Sequence, residues 1–352
     1  MTVKVNDPVF AGWNPPDYSV TPQGKVSNAK PGRWNNWSRW GDEDQVGTAN
    51  LLTAERTAHA ATLIRTGERY SLGLPIGIPI PGGPGGEAMT ARGNRRTMNR
   101  AQLFHFFAST AGDGVLGDPQ AQYPVDANTK YDFSDDFLLI ALQHTTQLDG
   151  FGVAIDDAMF NGYWAGLVTA TSGARRLGIH HRAKGIVGRG VLLDVARHLG
   201  VERMDDRFRI GPDLLLQVAE AEGVTIGEGD ILLIRTGWLG WWFEDGADAE
   251  PGLAPGVSGA TIPLFAERDI AMVALDNVTA EVVDNEAEPG YRRAEFHISG
   301  LRDLGLQIGE YFNLDELAAA CSEDGVYEMF FVASPLPVVG GAGSPINPLA
   351  IR

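Results

Sequence analysis

The densest run of chemically useful side chains lies at 143–149, QHTTQLD, where Gln143, His144, Thr145, Thr146, Gln147 and Asp149 are interrupted only by Leu148. Together they offer amide, hydroxyl, imidazole and carboxylate groups. A folded chain buries such groups only when they have partners, so the tract binds a ligand or forms an internal hydrogen-bond network. The residues before it, FLLIAL at 137–142, have the composition of a buried strand. On that reading the polar tract is the end of a core strand opening into a site.

The totals narrow the classes open to such a site. The length of 352 residues permits one large domain or two smaller ones. Lys plus Arg number 28 against 45 Asp plus Glu, a formal charge of −17 that repels phosphate backbones and makes nucleic acid a poor partner. The lone cysteine, Cys321, excludes an intrachain disulfide and a thiolate-rich metal site. The start MTVKVNDPVF lacks the order of a secretion signal, and no apolar run approaches the roughly 18 residues of a membrane span. These features lead to the expectation of a cytoplasmic protein acting on a small molecule, away from membranes. Glycine, at 44 residues, implies many tight turns.

The elements that must position the tract follow from local patterns. Residues 1–32, with Pro15, Pro16, Pro22 and Pro31, read as an extended arm laid over the body or over a second subunit. No linker-like boundary divides 33–352, which reads as one α/β domain of alternating helices and strands. Trp34, Trp37 and Trp40, with Arg39, form a packed cap or pocket wall. A helix begins near Thr53 and stops at Gly67. Residues 70–80 are strand-like and run into PGGPGG at 81–86, which lacks the spacing and ending of a phosphate loop. Arg92, Arg95, Arg96 and Met98 default to surface. Arg189, set between two glycines, reads as an architectural ion-pair residue. A helix spans 213–222, and core strands span 231–234 and 270–275. Trp238, Trp241 and Trp242 follow the first of these, as the apolar side of a cleft would. A short helix with proline in its first turn covers 261–268. Another helix spans 315–321, capped near Asn313, and a last apolar strand covers 327–333.

Four segments, in order, resemble the cyclase family, the group that includes bacterial kynurenine formamidase and isatin hydrolase. They are Arg39-Trp40-Gly41-Asp42 with Gly47-Thr48-Ala49-Asn50; GIVGRGVLLD at 185–194; Phe296-His297 followed by Leu301, Asp303, Leu304 and Gly305; and Glu310 with the closing GAGSPINPLAIR. The similarity covers most of 33–352 and is strongest in the longer branch with an N-terminal extension. It implies the swivelling β/β/α fold, an α/β class with mixed sheets and flanking helices, and assembly as a homodimer or homotetramer. The family motif HxGTHxDxxxH aligns its first histidine with Gln143, its glycine with Thr145 and its threonine with Thr146. Its second histidine falls on Gln147, its aspartate on Asp149 and its last histidine on Val153. Some longer members read QxGTQxD here; this chain shares that change and also lacks the final histidine. His144 is one residue out of register, which in a strand puts it on the opposite face.

Imidazole binds Zn²⁺ or Mn²⁺ strongly, whereas a neutral amide oxygen is a weak ligand. The implied site of Gln143, Gln147, Asp149, His297 and Glu310 therefore keeps one imidazole and two carboxylates. Asp149, His297 and Glu310 could hold one divalent Mn or Zn ion weakly. Alternatively no metal binds, His297 acts as a base oriented by Glu310, and Gln143 or Gln147 donates to a developing oxyanion. The resemblance implies Asp149, Gln147, His297 and Glu310 as catalytic candidates; Gln143, Thr146, Trp238 and Trp241 are the substrate-binding ones. The implied activity is hydrolysis of a small cyclic or aromatic amide or lactone at its carbonyl. In the family the histidine aligned with Val153 is linked to proton transfer, so its absence argues against ordinary metal-hydroxide hydrolysis of a formamide. It keeps open a metal-independent dehydratase, cyclase or carbon–carbon lyase, and a non-catalytic ligand-binding protein.

Overall fold

Nine strands build the main sheet: β1 (Arg69–Ser71), β2 (Gln147–Asp149), β3 (Ile186–Asp194), β4 (Ile231–Arg235), β5 (Met272–Leu275), β6 (Gln307–Glu310), β7 (Glu328–Ala333), β8 (Gly343–Pro345) and β9 (Leu349–Ile351). Their order across the sheet is β1-β9-β7-β3-β4-β5-β6-β2-β8. The four central strands, β3 to β6, run parallel, and every other pairing is antiparallel. These contacts come from a computed structural model that describes residues 17–76, 104–109, 112–113, 116, 123–124, 130–131, 133–244, 254–282 and 288–352. The glycine run at 81–86, Arg92, Arg95, Arg96 and Met98 lie outside the described residues.

The central strands are apolar at successive positions because both faces are covered. Val191, Leu193, Leu232, Ile234, Val273 and Leu275 face one core. There they meet Leu215 and Val218 of α2 (Pro212–Ala221) and Phe265 of α4 (Ile262–Glu267). The alternating residues Leu192, Ile231, Leu233, Met272 and Ala274 face a second core with Leu317 and Cys321 of α5 (Asp315–Asp324). Cys321 is fully buried and its thiol is pushed up to about 12, the state of an inert core residue.

Most elements stand where the patterns put them. Thr53 caps α1 (Ala54–Ala61) by accepting from the Arg56 amide, although the helix ends short of Gly67. Arg189 ties β3 to its surroundings through Asp230 at 2.6 Å and Glu328 at 3.0 Å. The described part of the arm lies on this chain's own body: the Val26 amide donates to Gly162 O, and the Gly32 amide to Asp303.

The apolar run before the polar tract departs from expectation. It is not a core strand. Asp135–Leu139 pairs only with Phe104–Ser109 in a two-stranded ribbon, with Phe137 and Leu139 56% and 64% exposed. The Phe106 and Phe137 rings stack at 5.3 Å. Composition favoured a strand, but burial depends on what packs against the ribbon, and no core layer among the described residues does. The polar residues 144–149 are buried instead. Likewise Leu314, not Asn313, occupies the N-cap of α5 and makes no side-chain cap. The strand expected over 70–80 is the three-residue β1; 77–80 lie outside the described residues.

At the carboxyl ends of β3 and β4, Asp194 receives Arg235 and Arg197, and its amide donates to Glu222 at 2.9 Å. Burial, reinforced by the Asp194 charge, lifts the Glu222 carboxyl from 4.5 to about 8 despite that hydrogen bond. A carboxyl raised in the folded state is protonated in both states at low pH. The unfolded chain releases its proton first, so stability falls as pH rises from about 4.5 to about 8. Glu222→Gln is expected to flatten this part of the stability–pH curve and to leave the variant more stable than the parent at pH 8, measured by urea unfolding across the window.

Candidate functional site

Two residues apart on one strand means one face of the sheet, so Gln147 and Asp149 point together while Leu148 enters the second core. Antiparallel pairing sets Glu310 of β6 directly opposite Gln147. The Gln147 amide Nε2 donates to Glu310 Oε2 at 2.7 Å and to Asp149 Oδ1 at 3.3 Å. One donor thus fixes both carboxylates. The Gln147 carbonyl oxygen is buried with no hydrogen-bond partner among the described residues.

His297 arrives from the other side, at the end of the short helix Glu295–His297 that continues as a π-helical segment, Ile298–Leu304. Ala294, at φ 58°, turns the chain into that helix. Glu281 meets the helix start: its carboxylate accepts the Phe296 and His297 amides, each at 3.0 Å, and contacts His297 Nδ1 at 2.6 Å. A ring nitrogen that close to a carboxylate carries the proton, which leaves Nε2 as the face turned to the site. Nε2 lies 3.5 Å from Asp149 Oδ2 and 3.3 Å from Glu310 Oε1. Burial presses the imidazole toward neutrality, but its contacts with Asp149, Glu281 and Glu310 outweigh this and hold its pKa well above the ordinary value. The orienting role expected of Glu310 therefore falls to Glu281, which motif matching missed. Its only sequence signal is an acid inside the apolar run VTAEVV at 278–283.

Donor atoms of Asp149, His297 and Glu310 all lie within 4.8 Å of one another. A tetrahedral ion with ligands near 2.1 Å separates them by roughly 3.4 Å, and the two Nε2 distances match that spacing. They are longer than the roughly 2.7–2.9 Å of charge-assisted hydrogen bonds. An imidazole clamped at Nδ1 by a carboxylate, with Nε2 turned inward, is also how metal-ligating histidines are held. The residues fit one divalent cation.

The three groups open onto a cavity of about 440 Å³. Gln143, Val153, Val278, Thr279 and Leu301 also line it, and no lysine or arginine does among the described residues. Close backbone approach shapes its wall. A Cβ on Gly150 would stand 2.1 Å from Ala342 O, and one on Gly343 2.9 Å from Gln143 Cγ. Behind Asp149, Arg182 is 2% exposed, with Nη1 donating to Asp149 O at 2.8 Å and Gln307 Oε1 at 2.9 Å. Burial lowers its pKa to about 9, with the Asp149 charge opposing.

Other candidates stand elsewhere. Thr146 spends its hydroxyl on Tyr311 O at 2.6 Å and the Leu74 amide at 2.9 Å. Trp238 and Trp242, on α3 (Trp238–Glu244), pack in a core with Leu74, Tyr311 and Val278, so only Val278 links that cluster to the cavity. Trp241 lies under Arg203, beside a separate cleft at the carboxyl ends of β3 and β4. Trp34 and Trp37 pack against the first core, and neither His180 nor His181 lines the cavity. No helix among the described residues is long and apolar enough to cross a membrane.

Comparison with known proteins bears on the descent and the fold of the chain. The Cyclase family profile matches residues 99–282. The crystal structure of a novel cyclase is 33% identical, with a TM-score of 0.77, covering 91% of this chain and 100% of its own. An isatin hydrolase bound to the product analogue thioisatinate is 18% identical, with a TM-score of 0.53, covering 86% of this chain and 98% of its own. Isatin hydrolase A from Labrenzia aggregata, bound to benzyl benzoate, is 19% identical, with a TM-score of 0.52, covering 85% and 98%. No curated protein matches. The last two likenesses concern the fold, and the first, with the profile, concerns descent: this chain belongs to the cyclase family.

Proposed function

We propose that the protein hydrolyses a small, neutral cyclic or aromatic amide or lactone at its carbonyl, using one divalent cation, Mn²⁺ or Zn²⁺, held by Asp149, His297 and Glu310. The observation that carries this reading is the pair of Nε2 distances, 3.5 and 3.3 Å, on a ring whose other nitrogen is clamped by Glu281. The isatin hydrolases of the same fold support the choice of a compact carbonyl substrate. When bound, the cation would supply Lewis-acid polarisation of the carbonyl.

The remaining work belongs to the chain's own groups. Glu281 holds the His297 Nδ1 proton and keeps Nε2 aimed at the reacting region. Gln147 fixes one oxygen of each carboxylate, leaving the other oxygen of each turned toward Nε2. Gln143 lines the cavity, where it can donate its amide to a substrate oxygen. Val278, Leu301 and Val153 give an apolar grip on a ring. An acidic wall without lysine or arginine favours a neutral substrate and repels a carboxylate product.

One observation favours a second reading, metal-independent lyase, dehydratase or cyclase chemistry. The Gln147 amide already bridges Glu310 and Asp149 with positive hydrogen, doing part of a cation's work. Self-association as a homodimer or homotetramer is supported by the exposed aromatic ribbon of Phe106 and Phe137.

Protein purified without added metal should contain about one equivalent of divalent ion by mass spectrometry, and chelation should abolish turnover reversibly. Full activity in the metal-free protein would select the second reading. His297→Ala should lower kcat/KM for an isatin-type substrate by about a hundredfold or more with the fold intact by circular dichroism. Glu281→Gln should weaken cation binding about 10–100-fold, read by calorimetry, because a neutral amide accepts the Nδ1 proton more weakly and leaves Nε2 less basic. A substrate analogue bearing a carboxylate should show a raised KM that falls with added salt.

A further inference from the structure

Among the described residues, one arginine is buried against neutral partners. Arg182 Nη1 donates to a backbone carbonyl and a glutamine oxygen, while Nε and Nη2 have no hydrogen-bond partner among the described residues. Its guanidinium lies 4.3 Å from the Phe151 ring centroid. The other deeply placed arginines among the described residues are paired: Arg302 with Asp303, Arg352 with Asp324, and Arg235 with Asp194 and Asp315. A buried cation without a contacting anion is costly unless a nearby negative field offsets it. That field is at hand. Arg182 touches the backbone of Asp149, and the cavity beyond holds the Asp149 and Glu310 carboxylates, with Glu281 behind His297.

We propose that Arg182 is a positioning residue of the site, a fixed internal counter-charge that limits how tightly Asp149, His297 and Glu310 hold a divalent cation. Its Nη1 also bridges Asp149, the last residue of β2, to Gln307, the first of β6. It thus holds together the two strands that carry Asp149 and Glu310. The inference rests on the cation-binding reading above. The two roles of Arg182 have opposite consequences when it is removed. Loss of a bridge misplaces Asp149 and weakens cation binding. Loss of a positive charge near the carboxylates strengthens it.

The sign of the change is therefore the test. Mn²⁺ alone is titrated calorimetrically into chelator-treated full-length protein, as the parent, Arg182→Lys, Arg182→Met and Arg182→Gln, whose amide can still donate to the Asp149 carbonyl. The expected result is affinity within about twofold of the parent for Arg182→Lys and about tenfold tighter for the neutral variants. Binding by a neutral variant when the parent binds none also supports the proposal. Equal or weaker binding by folded neutral variants would overturn it, leaving the hydrolase reading standing if the parent binds Mn²⁺. Failure of both neutral variants to fold while Arg182→Lys folds would assign the residue to the scaffold alone and overturn it too. Absence of Mn²⁺ binding in all four proteins would overturn it and the cation-dependent reading together.

Discussion

The contact between Glu281 and His297 Nδ1, at 2.6 Å, decides what the rest of the site can be. An imidazole has two nitrogens and, when neutral, one proton; fixing the proton at Nδ1 makes Nε2 the working atom. The same carboxylate accepts two backbone amides at the start of the helix, so ring and helix are placed by one anchor. Everything facing Nε2 then has to be supplied by β2 and β6, which present Asp149 and Glu310 through strand register alone.

That register also gives the substituted position its meaning. Gln147 lies opposite Glu310 and two residues from Asp149, so its amide can reach both carboxylates. A histidine there would be a ligand. A glutamine instead sets the orientation of Asp149 and Glu310, and the candidate site offers two carboxylates and one imidazole. The family scaffold is retained, with a donor set that depends on oxygen more than nitrogen.

Charge is the other constraint. Three carboxylates around one imidazole in a half-closed cavity would repel one another without compensation. The compensation comes from His297 itself, the Gln147 amide and the buried Arg182, and none of these is a surface ion pair. The site therefore keeps negative charge where water has limited access, the setting that the cation-assisted carbonyl chemistry proposed above would need.

Some of this was legible in the chain alone. Apolar runs at 231–234 and 270–275 specify strands wherever they are put, because their composition only suits burial on both faces. The i, i+2 spacing of Gln147 and Asp149 specifies a shared face, and the flanking residues of His297 and Glu310 tie them to a family. The chain did not reveal that 135–139 would lie outside and 144–149 inside, since burial follows from which layer packs on a strand. Nor did it reveal Glu281, Arg182 or the distance of Trp238 and Trp241 from the cavity. An acid, a cation or an indole has the same local pattern wherever it ends up; only the folded arrangement determines which charges meet, because electrostatic partners are chosen by distance in space and not along the chain.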